Sequence, residues 1–191
     1  MPIKFDIESL RKKHECINYF ETGLFNPRHD VSSKKALRCK FKKVFCIEIR
    51  KDWVKAGKKV FEKEIKAGRY NLYLDDSANM EKYLTGNDFK NKTMFFLDAH
   101  VDNKDIPNTY QKKLPLFKEL SAISNLERKD NIILVDDLRI LKGEKCPWGE
   151  KSYGNINFFD EIKKQILSIN ENYKFSTLDG TIPDDVLLAY I

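Results

Sequence analysis

The chain of 191 residues predicts an α/β fold, a Rossmann-like, mostly parallel sheet with helices on both faces. Three observations predict it. Short apolar runs alternate with amphipathic stretches along the chain, the order of strand–helix units. The runs are continuously apolar, as strands buried on both faces must be. They also stop abruptly at carboxylates. "TMFFLDAH" (93–100) runs Phe95, Phe96 and Leu97 into Asp98, with His100 two positions on. "NIILVDDL" runs Ile132 to Val135 into Asp136 and Asp137. In open α/β sheets the carboxyl ends of the strands face the ligand crevice.

Each element has its own signal. "CINYFETG" (16–23) is the first strand and its exit turn. "DVSSKKALRCKF" (30–41) is a helix with Asp30 in N-cap position, and "KVFCIEI" (43–49) is the second strand. "DWVKAGKKVFEKEIKAG" (52–68) has the clearest helical period. Asp52 caps it, Trp53, Val60, Phe61 and Ile65 form an apolar stripe, and Gly68 ends it. "YNLYLDDS" (70–77) is the third strand and "TMFFLDAH" the fourth. After a polar connection, 101–113, comes the helix "LPLFKELSAISNLE" (114–127), with Pro115 in its first turn. "NIILVDD" is the fifth strand, and a loop with several glycines leads to the helix "NFFDEIKKQILSI" (157–169). "YKFSTLDGTIPDDVLLAYI" closes the chain as two β-rich runs around a Gly/Pro turn, an antiparallel hairpin. No repeat or linker divides the chain, so residues 1–191 read as a single domain.

Composition bounds the function. Hydrophobic content of 41% and charged content of 34% describe a globular chain. No stretch approaches the roughly 18 apolar residues of a membrane span, and the charged N-terminus has no signal-peptide core. The four cysteines form no CxxC pair, and Cys46 sits in an apolar run as a core residue. A reducing, cytoplasmic location is expected. Net charge is +6, with a pI near 9.0. The lysines are spread over predicted helices and loops with no arginine-rich tract, which favours a solvated surface over a nucleic-acid footprint.

Five successive strands end in acids: Glu21, Glu48, Asp76, Asp98, and the pair Asp136–Asp137. One such residue is commonplace, whereas five predict an acidic rim around a functional cleft. The turn "ETGLFNPRHD" has one glycine, Gly23, so the GxGxxG dinucleotide fingerprint is absent. GxxxxGK[ST] is absent too, which excludes a P-loop. Glu48, ending the second strand, is placed to accept hydrogen bonds from a ribose diol.

Taken together, "YFETG", "KKALRCKFKKVFCIEI", "LYLDDSANMEKYL", "FFLDAH", "LPLFKELSAI" and "ILVDDLRI" resemble a class I S-adenosylmethionine-dependent methyltransferase. More narrowly, they are similar to small metal-dependent sugar O-methyltransferases related to the macrolide-sugar enzymes. The resemblance covers about residues 16 to 190. It implies seven strands with the last antiparallel, and S-adenosylmethionine as cofactor. The methionine part would lie over Glu21, Thr22 and Gly23, Glu48 would hold the ribose, and Asp76 with Ser77 would flank the adenine. Relatives usually carry a second glycine and a Ser or Thr after "ETG", where this chain has Asn26-Pro27-Arg28-His29-Asp30.

Converging carboxylates repel one another unless a cation compensates, and oxygen-only ligands suit Mg²⁺ or Mn²⁺. The resemblance implies that Asp98, Asp136 and Asp137 hold such an ion. A metal lowers the pKa of a chelated sugar hydroxyl, and a neighbouring base then takes its proton. His100 is the expected base, with Asp98 as competitor; His29 lies in the cofactor loop, and His14 is expected on an N-terminal helix surface. Tyr110, Trp148 and Tyr153 are candidates for the wall over the acceptor. The expected activity is methyl transfer to a sugar hydroxyl of a glycan or nucleotide-sugar. A catechol-like small-molecule acceptor and a non-catalytic nucleic-acid-binding module on the same fold are the alternatives.

Overall fold

The computed structural model describes residues 3–99, 114–142 and 157–191. His100, Tyr110, Cys146, Trp148 and Tyr153 lie outside the described residues. Seven strands form one sheet: β1 (Asn18–Thr22), β2 (Lys43–Glu48), β3 (Tyr70–Leu74), β4 (Thr93–Leu97), β5 (Ile132–Val135), β6 (Lys174–Leu178) and β7 (Val186–Tyr190). Their order is β3-β2-β1-β4-β5-β7-β6. β7 runs antiparallel to β5 and β6, and the other described pairings are parallel. The predicted sheet and its terminal hairpin are therefore found.

Alternation along each strand fills two cores. Phe20, Phe45, Ile47, Phe95, Leu97, Ile133 and Val135 face one side. There they meet α5 (Leu116–Ser124) and α6 (Phe159–Ile169), which bury Leu120, Ile123, Ile162 and Ile166. Tyr19, Val44, Cys46, Met94, Phe96 and Leu134 face the other side, under α1 (Ile7–Lys13) and α2 (Ser32–Arg38). Strands this thoroughly buried must be apolar throughout, which is why the sequence showed runs. Among the described residues no helix is long and apolar enough to cross a membrane.

Helix boundaries depart from the sequence reading in instructive ways. α2 starts at Ser32 with Val31 as an N-cap that makes no side-chain bond. Asp30 instead reaches across to Arg38 at 3.2 Å and Lys35 at 3.9 Å. The predicted helix 52–68 is two helices, α3 (Lys51–Val60) and α4 (Glu62–Lys66). Between them Phe61 leaves helical geometry at φ −108°, ψ 22°, and its buried ring packs on Tyr70 at 4.8 Å. Asp52 lies inside the first turn of α3, paired with Arg50 rather than capping. Gly68, at φ 66°, stops the pair as expected. His14 is buried at the end of α1 against the Tyr190 ring, not on a surface.

Numbering runs outward from β1 in one direction and from β4 in the other. Strand order therefore reverses between β1 and β4, where open α/β sheets place their crevice. Thr22 of β1 lies level with Ile47 of β2 and Leu97 of β4, so three carboxyl ends finish together.

Candidate active site

The turn at the reversal point is built by Gly23. Its φ is 85°, a left-handed conformation that costs glycine little. A Cβ there would fall 2.5 Å from the Asp98 carbonyl oxygen, a distance no side chain can occupy. The Gly23 N–H donates to Ile47 O at 2.8 Å. The Asp98 N–H donates to Thr22 O at 3.1 Å, and Thr22 Oγ1 lies 3.2 Å from the same nitrogen. Thr22 and Gly23 thus bind the exit of β1 to those of β2 and β4.

The acidic strand ends do not form one rim. Glu21 points into the core under α2, fully buried, and accepts hydrogen bonds from Tyr19 Oη at 3.1 Å and from the Ser33 hydroxyl. Ser33 also lies 2.8 Å from the Tyr70 hydroxyl. Burial raises the Glu21 pKa, although Ser33 and the other hydroxyls oppose the shift. Its position in the turn is as predicted, but its carboxyl supports the turn from beneath.

Glu48 is also buried, but it faces the loop after β1. One carboxylate oxygen accepts from the Leu24 and Phe25 amides at 2.8 and 3.2 Å, and the other from the Arg50 amide at 2.7 Å. Burial raises its pKa against the pull of those amides. After β3, Asp76 caps a 3₁₀ turn (Ser77–Tyr83) by accepting from the Ala78 amide, and Ser77 is buried at its start. Asp75, which the sequence did not single out, binds Asn79, Tyr83 and Lys82 through its side chain. The Asn79 and Tyr83 bonds hold it at about 2.

Asp98, Asp136 and Asp137 end β4 and β5. Asp136 accepts from the Asp137 amide at 2.8 Å. Asp137 adopts φ 58° and turns its carboxylate to Arg139, at 2.6 Å. Arg139 is buried and also pairs with Asp185, which precedes β7 and accepts from the Arg139 amide at 3.1 Å. Asp137 and Asp185 keep Arg139 firmly cationic despite its burial. Gly180 permits this approach, since a Cβ there would press on Asp185 and Asp136 at 3.1 and 3.2 Å. Among the described residues, Asp136, Asp137 and Asp185 are the carboxylates whose oxygens gather within 4.8 Å of one another. Asp98 is half-buried; burial, and then the Asp136 charge, push its pKa well above the ordinary carboxylate range.

The structure thus brings Thr22, Gly23, Glu48, Asp98 and Asp136 to one end of the sheet, and sets Glu21 behind them. Asp76 and Ser77 stand after β3, and Asp137 is engaged by Arg139. Asp185 and Arg139 were not anticipated. Their sequence signal, an Asp before the last strand and an Arg after "DD", is meaningful only once residues 46 positions apart are folded together.

No family profile matches the sequence, and no curated protein matches it. Solved structures do. A methyltransferase of Podospora anserina, SAH-bound, superposes with a TM-score of 0.61 at 18% identity over 95% of this chain and 74% of that one. An O-methyltransferase of Bacillus cereus in complex with SAH gives 0.62 at 12% identity, over 96% and 78%. The O-methyltransferase TomG of Streptomyces achromogenes, involved in tomaymycin synthesis and solved with SAM, gives 0.56 at 12%, over 96% and 77%. At these identities the likeness establishes the fold: the chain has the class I S-adenosylmethionine-dependent methyltransferase fold.

The buried Glu21 makes stability depend on pH. Its folded pKa lies above its unfolded one, so below the ordinary carboxylate range both states are protonated and no penalty arises. Above that range the unfolded chain releases a proton that the folded chain retains, and stability falls. Glu21→Gln removes this contribution, so the variant should gain on the wild type between about pH 4 and pH 7. Urea midpoints across that range test it; a constant difference would mean that Glu21 is ionised in the fold.

Proposed function

We propose that the chain is an S-adenosylmethionine-dependent O-methyltransferase whose acceptor is a sugar hydroxyl, in a glycan or nucleotide-sugar. The observation that carries the reading is the Gly23 turn closed on Asp98, with Glu48 at the adjoining strand end. The turn leaves no side chain where a ligand's backbone must pass, which fits a cofactor lying across the crevice. The solved neighbours named O-methyltransferases support the reaction class. The sequence resemblance supports the sugar acceptor over a catechol-like one.

S-adenosylmethionine supplies an electrophilic methyl group. Toward it, Thr22 and Gly23 shape the turn from above, with Glu21 bracing it from below. Glu48 presents a carboxylate to the ribose diol while organising the Leu24 and Phe25 amides, and Asp76 with Ser77 flank the adenine.

A divalent ion fits the hard oxygen donors of Asp98 and Asp136, whose mutual repulsion a cation would relieve. Asp137 contributes less than the sequence implied, because Arg139 already neutralises it. The ion supplies charge that lowers the pKa of a chelated hydroxyl. His100 takes the hydroxyl proton.

Three measurements test this reading. Calorimetric titration should show SAH binding in the micromolar range. Glu48→Gln, which keeps an acceptor for the Leu24 amide but removes the charge, should weaken binding by about 1–2 kcal/mol. Unchanged affinity in the variant would place the ribose elsewhere. Turnover on sugar acceptors should stop in EDTA and return with Mg²⁺ or Mn²⁺. Asp136→Asn should lose that rescue while binding SAH normally; full turnover in EDTA would remove the ion from the mechanism. His100→Ala should lower kcat roughly 10²–10⁴-fold with the cofactor affinity kept. A variant retaining more than about a tenth of kcat, with an unchanged pH profile, would hand the base role to another group.

A further inference from the structure

The carboxylates that follow β5 and precede β7 enclose a cation of the chain's own. Oxygens of Asp136, Asp137 and Asp185 gather within 4.8 Å of one another, and the Arg139 guanidinium already stands among them. Its Nη1 lies 2.6 Å from Asp137 Oδ1 and also pairs with Asp185 Oδ2. The Arg139 side chain is 2% exposed, and that of Asp185 is fully buried. The backbone that carries the guanidinium is fixed as well. Asp185 Oδ1 accepts from the Arg139 amide at 3.1 Å, and the Asp185 carbonyl accepts from the Leu138 amide at 2.8 Å. Asp137 meets this anchor by taking φ 58° at the head of the one-turn helix Leu138–Leu141, a conformation uncommon outside glycine.

Stability alone accounts poorly for such an arrangement. A buried ion pair loses much of its attraction to desolvation, and apolar residues of similar volume often serve a fold as well or better. Arg139 Nε is buried with no hydrogen-bond partner among the described residues, a further cost. What the arrangement does achieve is a division of the acids. Asp137 and Asp185 face a fixed, monovalent cation. Asp136 leaves β5 beside Asp98 of β4, because Leu97 and Val135 are register partners.

We infer that Arg139 sets the affinity and selectivity of the divalent-ion site by withholding Asp137 and Asp185 from it. The inference rests on the ion of the proposed function and names the residue that tunes it. Left with the Asp98 and Asp136 carboxylates, the ion keeps coordination positions for waters and for an acceptor hydroxyl. Mg²⁺ retains several waters and is usually held through about one or two carboxylates, whereas Ca²⁺ takes roughly six to eight oxygens. Two further carboxylates would therefore favour Ca²⁺ and crowd out the acceptor. Arg139 touches none of the reacting atoms; it determines specificity through Asp137.

The test is Mn²⁺ binding to the whole chain, read from the paramagnetic resonance of the free ion, with Mg²⁺ and Ca²⁺ as competitors. Arg139→Gln removes the charge and should bind Mn²⁺ at least about tenfold more tightly than wild type. Its melting temperature should fall in EDTA, where Asp137 and Asp185 lose their counter-charge, and recover with Mn²⁺. A second variant, Arg139→Gln with Asp185→Asn, keeps an acceptor for the amide of residue 139 and leaves the local net charge unchanged. It too should bind Mn²⁺ more tightly, because Asp137 is released as a ligand, and Ca²⁺ should gain more than Mg²⁺. Adding Asp137→Asn should abolish that gain. Mn²⁺ affinity in the double variant equal to or below that of wild type would overturn the inference and leave Arg139 as a tie between β5 and β7. A gain that survives Asp137→Asn would overturn it as well. Failure of wild type and every variant to bind Mn²⁺ would instead remove the ion, the reading beneath this one.

Discussion

The architecture of this end of the molecule depends on one close approach, that of Gly23 to the Asp98 carbonyl. β1 lies between β2 and β4, and its exit must leave the sheet without obstructing either neighbour. A Cβ at position 23 would force β1 and β4 apart, breaking the Asp98 amide bond to Thr22. The Gly23 bond to Ile47 would shift with it, and the Leu24 and Phe25 amides would move off Glu48. One missing methyl group thus sets the relative height of three strand ends and of every side chain they carry.

The carboxylates around that turn differ chiefly in how each compensates for its desolvation. A buried carboxylate without partners is very costly. Glu21 meets the problem with hydroxyls and a raised pKa, and Glu48 with three backbone amides. Asp137 and Asp185 share the Arg139 guanidinium, an arrangement in which removal of any one member would strand a buried charge. Asp98 and Asp136 are different. Burial first, and then the Asp136 charge, raise the cost of ionising Asp98. Perturbed carboxylates of that kind are common at reactive sites.

Much of this was legible in the sequence, for physical reasons. Continuous apolar runs exist because both faces of each strand are covered, so the strands of the parallel part could be read directly. Gly23 and the acids at the strand ends were also visible, being local punctuation. Side-chain direction was not. Glu21 looked like a rim residue, yet it shares a face with Tyr19 and so points inward under α2. Asp30 and Asp52 had the chemistry of caps, but found better-placed cations in Arg38 and Arg50. Arg139 and Asp185 come together only through the pairing of β5 with β7. No local pattern announces such a contact. The lysines read as dispersed because the common face of Lys51, Lys55, Lys58 and Lys59 appears only in the helical phase of α3.

That phase explains how one small chain can be basic overall and acidic at its crevice. β4 lies two strands from β2 and β5 three, or about 10–15 Å at the usual strand spacing, with α3 packed beyond on β2 and β3. Salt screens exposed charges over about 8–10 Å. The α3 lysines therefore cannot neutralise Asp98 and Asp136, and the acidic pair cannot dissipate the field of the lysine row. Had the 15 basic residues of positions 28–69 been spread evenly, some would sit beside the carboxylates and compete with any divalent ion for them. Confining them there leaves each end of the sheet with its own electrostatic task. The ends of β4 and β5 thereby keep a negative field of their own, undiluted by the lysines of α3.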